Sequence, residues 1–436
     1  MIENRQYRLK KFDVIGAESP SGVIEAWVGK RALRWYIAQV TDDEIVVEAT
    51  TFDGELYDPA DAMESRRHHS GKSVVVSIVP TGVGCELGGY AGDAAPASNL
   101  LAAAADYLVT NPNAVNASNF ISLDANVLYT EGFCIDLLMK GAVDLHVPYG
   151  NKIGLIVEKS PAQKLDVVYN VVNTARAVYG LNLMEPLVTD RPIGSHCVEN
   201  DTGAYVGTVD HPEVIFESVE KLMAHGANAV AITTNIQDLP VENYVKHFNG
   251  EYPNPLGGVE AVISHLIVNH FQIPAAHAPM INSKDMPLSD PIVDARGAGE
   301  MASVSGLACT LIGLRRAPQI LPRRGVRVAD TVNVHNVLAL VAPSGCLGGI
   351  PAIYANKLGI PIIAVHENRT ILKVDAKALG LKNVIEVRNY AEAAGVVLAL
   401  KRGIHLETVT RPLKTFRHGM GAEMSEEVGE LVEKSA

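Results

Sequence analysis

A chain of 436 residues with 47% apolar content is long enough for two or three domains with buried cores. Its formal net charge of −12 runs against a nucleic-acid surface, which needs net or locally dense positive charge. No run reaches the ~18 apolar residues of a membrane span and the opening MIENRQYRLKKFDV lacks a signal peptide's apolar core, so a cytoplasmic protein with no membrane contact is expected.

Residues 1–70 read as a small β-rich unit. Leu33–Val40 and Glu44–Thr51 are β-branched and aromatic and form a hairpin across Thr41-Asp42-Asp43, and Tyr57–His69 follows as a short polar helix. A first glycine-rich α/β module occupies 71–159. The strand Val74–Pro80 runs into TGVGCELGGYAGDAAP, then the helix Pro96–Ala105 and the strand Tyr107–Thr110. Asn111, Asn113 and Asn116 follow directly, where open α/β sheets bind ligands, although asparagine also supplies turn and cap chemistry. A helix through Lys140 and a buried strand within Gly150–Lys159 complete the module.

A second α/β region with insertions spans 160–330. It begins with the helix Ala162–Tyr179, stopped by Gly180, and the strand Met184–Thr189. Glu199–His211 reads as a lid or hairpin, and Pro212–Gly226 as a helix with Asp210 as its N-cap. The strand Ala229–Asn235 precedes Pro255-Leu-Gly-Gly, the helix Val259–Phe271 and a strand ending at His277. His265 and His270 sit about 140° apart round that helix, which is not the i,i+4 pair that zinc sites use, and no metal is expected. Arg296 is a candidate for holding an anionic substrate, and Glu300 for complementing the dipole of a helix over Met301–Leu314. The arginines of GLRRAPQILPRRGVR read as a solvated edge or a subunit contact, which leaves a homo-oligomer open.

The third glycine-rich module, with an acidic C-terminal helix, fills 331–436. Val337–Ala342 is a buried strand, Cys346-Leu-Gly-Gly a loop, Pro351 the start of a helix that Gly359 stops, and Ile360–Val365 a second strand. At such a helix N-terminus, unpaired N–H groups and the dipole attract anions and favour a thiolate. The pattern echoes Pro80-Thr81-Gly82 and Cys85-Glu-Leu-Gly-Gly, and Leu-Gly-Gly begins at 87, 256 and 347. The fold class is therefore α/β, with layered, mainly parallel sheets built from divergent repeated βαβ modules and the β-rich N-terminal unit. The five cysteines, at 85, 134, 197, 309 and 346, include no CxxC pair, and reduced thiols are expected.

The segments PTGVGCELGGYAGDA, TNPNAVNAS, LGGVEAVISHLIV and APSGCLGGIPA resemble a conserved domain of unknown function over most of the chain. That resemblance implies a grouping and no activity. Cys85 and Cys346 also hold matching places in two modules, which is similar to cofactor-independent amino-acid racemases, where paired cysteines exchange a proton beside a carboxylate. The strand ending Thr234-Asn235 departs from the racemase pattern, since a threonine stands where the thiol belongs, and Glu86 would raise the pKa of Cys85.

Three function classes stay open. One is a thiol acid/base isomerase, racemase or lyase using Cys85 and Cys346. Its small anionic or amide substrate would be held by the loops of Thr81, Gly82, Gly88, Gly89, Ser344, Gly345, Gly348 and Gly349, with Asn111, Asn113, Asn116, Asn235 and Arg296. The second is a hydrolase or transferase with Cys346 as nucleophile and His366 or His277 as base, since each histidine ends a strand and could reach one cleft. The third is a non-catalytic carboxylate- or phosphate-binding protein. No cofactor is expected.

Overall fold

Short apolar runs bounded by glycine and proline form the centre of the molecule. In the computed structural model, which describes residues 1–56, 71–111, 123–161, 164–280, 292–301, 306–322 and 331–416, they build two parallel sheets. The larger is six-stranded, in the order Val384–Val387, Ile362–Val365, Val337–Pro343, Val74–Ser77, Tyr107–Thr110 and Val127–Tyr129. Alternate residues serve opposite faces. Val75, Ala339 and Val341 pack under the helices Ala95–Ala104 and Tyr390–Lys401, while Val74, Val76, Leu340 and Ala342 face Ile350–Lys357. Burial on both faces explains why these strands read as continuous apolar runs.

The first and third glycine-rich segments thus share one sheet. Val337–Pro343 lies beside Val74–Ser77, and their onward connections leave in opposite directions. That is a topological switch point, where the carboxyl ends of parallel strands leave a crevice.

The second sheet joins Leu187–Val188, Lys152–Val157, Ala229–Thr234 and Ala275–Pro279, with Asn182–Leu183 also pairing with Lys152–Val157. Leu165–Tyr179 and Leu307–Leu314 cover one face, and Pro212–Ala224 and Gly257–Phe271 the other. The largest apolar cluster lies between the two sheets.

At the N-terminus, Ile2–Lys10, Glu44–Phe52 and Ala32–Val40 form an antiparallel sheet in that order. The hairpin matches the reading from sequence, and the polar strand IENRQYRLK is an addition to it. Pro20–Val28 is a helix capped by Ser19 Oγ, which accepts from Gly22 N at 3.2 Å. The segment around Glu199–His211 is a hairpin of Ser195–Glu199 and Tyr205–Val209. Asp210 does not cap the helix Pro212–Ala224, because its Oδ2 lies 2.8 Å from His196 Nε2. Met184–Thr189 yields only the two-residue strand Leu187–Val188, and the Met301–Leu314 region resolves into Ala298–Met301 and Leu307–Leu314. The Tyr57–His69 helix, Asn113, Asn116, Arg323, Arg324, Arg327 and the acidic C-terminus lie outside the described residues.

Candidate functional site

The crevice at the switch point opens into a cavity of about 340 Å³. Its walls come from the loops after Val74–Ser77 and Val337–Pro343, the end of Ala275–Pro279, the helices Gly132–Met139 and Gly257–Phe271, and the N-terminal strand Ala32–Val40. Two glycines allow this close approach. Gly88 has φ +96°, and a Cβ on Gly348 would sit 2.5 Å from the Ile37 carbonyl oxygen.

The polar groups inside were mostly silent in the sequence. Glu131 is the N-cap of Gly132–Met139, its Oε2 accepting from Phe133 N at 2.8 Å. Its Oε1 accepts from Ser264 Oγ at 3.2 Å and lies 2.5 Å from Nδ1 of His265, a residue only 7% exposed. The glycine at 132 makes room for the imidazole, since a Cβ there would meet His265 Cε1 at 3.1 Å. One turn along the same helix, the Asp136 carboxyl is pushed up to about 7 by burial, against the opposing charges of His265, Lys140 and Arg34. Glu300 is likewise raised to about 7 by burial while its Oε1 accepts from Ala91 N at 2.6 Å. A second imidazole, His277, has Nε2 2.8 Å from Thr234 Oγ1 and Nδ1 3.4 Å from Glu260 Oε2. The lining therefore offers carboxylate-backed imidazoles beside carboxyl groups that titrate near neutrality. Among the described residues no group of histidine, cysteine and carboxylate side chains is arranged to hold a metal ion.

Of the residues singled out from sequence, Thr81, Gly88, Gly89, Asn111, His277, Cys346, Gly348 and Gly349 line the cavity. Asn111 ties the first loop in place, its Oδ1 accepting from Val79 N at 3.0 Å. Cys346 Sγ lies 3.1 Å from Thr370 Oγ1, and burial pushes its thiol up to about 12. Cys85 sits just behind the wall, 3% exposed, its Sγ 3.2 Å from the Pro80 carbonyl and its pKa raised first by burial, then by Cys346 and Asp93. For both thiols burial outweighs the helix-terminus effect that would favour a thiolate.

The remaining candidates lie elsewhere. Gly82, Ser344 and Gly345 belong to the loops without lining the cavity; Gly345 O accepts from Val374 N at 2.8 Å. Asn235 N donates to Glu158 Oε2 at 2.6 Å, outside the cavity. Arg296 is occupied by Asp294 and Glu86, each at 2.9 Å. His366 is on the surface, 57% exposed and 2.7 Å from Glu386 Oε2, because its strand lies one place out from the switch point. It and His277 therefore do not meet in one cleft. Sequence reasoning missed Arg34, Glu131, Asp136 and Glu260, weighed His265 only as a metal ligand and read Glu300 only as complementing a helix dipole. A signal existed for two of them: Glu260 and His265 interrupt a helix, GGVEAVISHLIVNHF, that is otherwise apolar on nearly every face.

No solved structure matches this chain. An uncharacterized lipoprotein of Synechococcus sp. is 35% identical over 331 residues, covering 76% of this chain and 91% of that protein. That name overturns the cytoplasmic location expected from the opening residues, which tested for one kind of targeting segment and nothing else. Among the described residues no helix is long and apolar enough to cross a membrane. Residues 74–410, which contain both glycine-rich loops and both imidazole–carboxylate pairs, match the family described as Protein of unknown function (DUF3326), and the chain belongs to that family.

Proposed function

We propose that this protein is an enzyme that moves a proton on a small polar or anionic metabolite, as an isomerase, racemase or lyase, with His265 as the base. The observation that carries this reading is the Glu131–His265 pair in the cavity wall at the switch point. Glu131 Oε1 lies 2.5 Å from Nδ1 as an ion-pair contact rather than an aligned hydrogen bond, and Nε2 has no partner among the described residues, so Nε2 is the nitrogen left for a substrate. Asp136 is close enough to feel the charge of His265 and keeps its own proton to near neutrality. An imidazole beside a carboxyl that burial pushes up to about 7 pairs a base with an acid in one cavity. His265 would take a proton from a carbon next to a carbonyl or carboxylate, and Asp136 would supply one, either to the opposite side of that carbon or to a departing group.

This reading moves the chemistry from the thiols to the imidazole. Both cysteines favour the protonated thiol, and Cys346 faces a threonine hydroxyl where a nucleophile would need a base. The test is substrate-dependent deuterium uptake from D2O across 2-hydroxy, 2-amino and 2-oxo acids. His265→Gln and Asp136→Asn should each slow exchange by roughly 10²–10⁴-fold, while Cys85→Ser and Cys346→Ser leave it within a few-fold. Exchange that survives His265→Gln but is lost in both serine variants would return the chemistry to the thiols. A wild-type protein that exchanges none of these acids sinks the reading.

A further inference from the structure

We propose that the N-terminal sheet completes this cavity by supplying an oxyanion hook, Arg34, for the carboxylate or phosphate group of the substrate. Arg34 lies on Ala32–Val40, where Leu33, Trp35 and Ile37 belong to the apolar core and Arg34 and Tyr36 are the polar side chains that the strand adds to the cavity lining, beside Trp35 and Ile37. The register against Glu44–Phe52 slips between Ala32 and Arg34, an irregularity that re-aims a side chain. The strand is fixed to the Cys346 loop, Ile37 N donating to Gly348 O at 2.9 Å and Tyr36 bridging to Gly349.

The guanidinium rests 5.7 Å from the centre of the Tyr36 ring. That ring is itself held, since Asn200 Nδ2 donates to the Tyr36 hydroxyl at 3.2 Å and to Glu48 Oε2 at 2.5 Å. Arg34 makes no ion pair or hydrogen bond to any other described residue, in contrast to Arg296, Arg191 and Arg369, which all pair with carboxylates. The carboxyl that senses it across the cavity, Asp136, keeps its proton to near neutrality and so leaves the cation uncompensated. A part-buried cation with its planar fork of donors unspent, and a wall that positions it, is suited to a two-oxygen face of a carboxylate or phosphate. Arg34 lies outside residues 74–410, so this contact comes from a part of the chain beyond the family match.

The inference deepens the acid–base reading and shares its cavity, but the hook is tested by binding alone. Isothermal titration of the full chain at low ionic strength with malonate in one arm and inorganic phosphate in the other should show binding of at least one, and the arm that binds identifies the anion. Arg34→Gln should weaken it by at least about tenfold, the scale of hydrogen bonds to a charged group. His366→Gln, at the surface and outside the cavity, should bind as wild type does, and because binding is read without turnover the outcome is separate from failure of the acid–base reading. Should Arg34→Gln not fold, Arg34→Lys takes its place, keeping charge without the fork, and is expected to bind several-fold more weakly. Absence of binding in both arms, or unchanged affinity in the folded variant, overturns the proposal.

Discussion

Burial holds the carboxyls of Asp93, Asp136 and Glu300 at about 7, each against neighbours that pull the other way: the N–H groups of Gly88 and Tyr90, the cations near Asp136, and the N–H of Ala91. In the unfolded chain the same groups titrate near ~4. Between about pH 4 and 7 the native state therefore binds more protons than the unfolded one, and stability falls as pH rises through that window. His247, pushed down to about 4 by burial, works in the opposite sense up to its ordinary value, but it is one group against three. The Tm should accordingly be higher at pH 5 than at pH 7.5, and Glu300→Gln should flatten that slope, as followed by thermal melts. A Tm that rises from pH 5 to 7.5 in both proteins would mean these carboxyls are ionised in the native state. At this scale the sequence disclosed only part of the site. His277 and Cys346 were readable because they end strands or sit in the loops that follow them. His265 was weighed against a helical neighbour, His270, whereas its partner Glu131 caps another helix far away in the chain. Arg34 was legible as part of a hairpin, but which of its faces meets a cavity is decided by docking against Gly348.

The helix Gly257–Phe271 carries Glu260, Ser264 and His265, and its placement depends on two glycines at its first turn. A Cβ on Gly258 would fall well inside contact distance of the Tyr205 carbonyl oxygen, and one on Gly257 would collide with Thr81 Oγ1. Gly207 answers from the facing strand, where a Cβ would overlap Val259. Helix and strand therefore touch backbone to backbone, and any side chain must force them apart. Gly258→Ala is expected to destabilise by about 1–3 kcal/mol or more, read as a lower urea midpoint. Gly395, inside Tyr390–Lys401 with open space around it, gives the contrast: Gly395→Ala should be neutral or stabilise by up to ~1 kcal/mol from helix propensity alone. Equal midpoints for the two variants would show that the close approach is absent. The Leu-Gly-Gly segments at 87 and 347 lie between strand and helix as read, whereas at 256 the glycines open a helix that follows the helix Val241–Phe248, and the three do different work: a turn at Gly88, a helix laid on a strand at Gly258, and a loop pressed on Ile37 at Gly348. Continuous apolar strands such as Tyr107–Thr110 were legible because both faces are buried. Ile2–Lys10 was not, because charged and polar residues fill most of a strand that pairs through its backbone along the whole of Glu44–Phe52.

Across the whole molecule, the pairing of Val74–Ser77 with Val337–Pro343 joins segments from opposite ends of the chain, and the site forms where they meet. No local pattern could announce this, since the two strands look alike and their partners are chosen by the folded sheet. The N-terminal unit is bound into the same body. Ile2, Val14, Trp35 and Phe52 belong to the apolar cluster that also holds Phe133, Val230 and Ile263, and Phe52 meets Phe216 edge-on with ring centres 5.8 Å apart. Asn4 Nδ2 donates to Gly207 O and Lys11 Nζ to Ala378 O, each at 3.1 Å. A shared core predicts shared unfolding. The chain's two tryptophans, Trp27 and Trp35, both lie in this unit, and Trp35 is buried with Nε1 donating to Ser21 Oγ at 3.3 Å. Tryptophan fluorescence thus reports on the N-terminal sheet, while far-UV circular dichroism follows the helices of the two large sheets. The two transitions should coincide on heating. If fluorescence changes several degrees before the helical signal, the sheet that carries Arg34 opens on its own, and the cavity would lose its anion hook while its acid–base wall still stands.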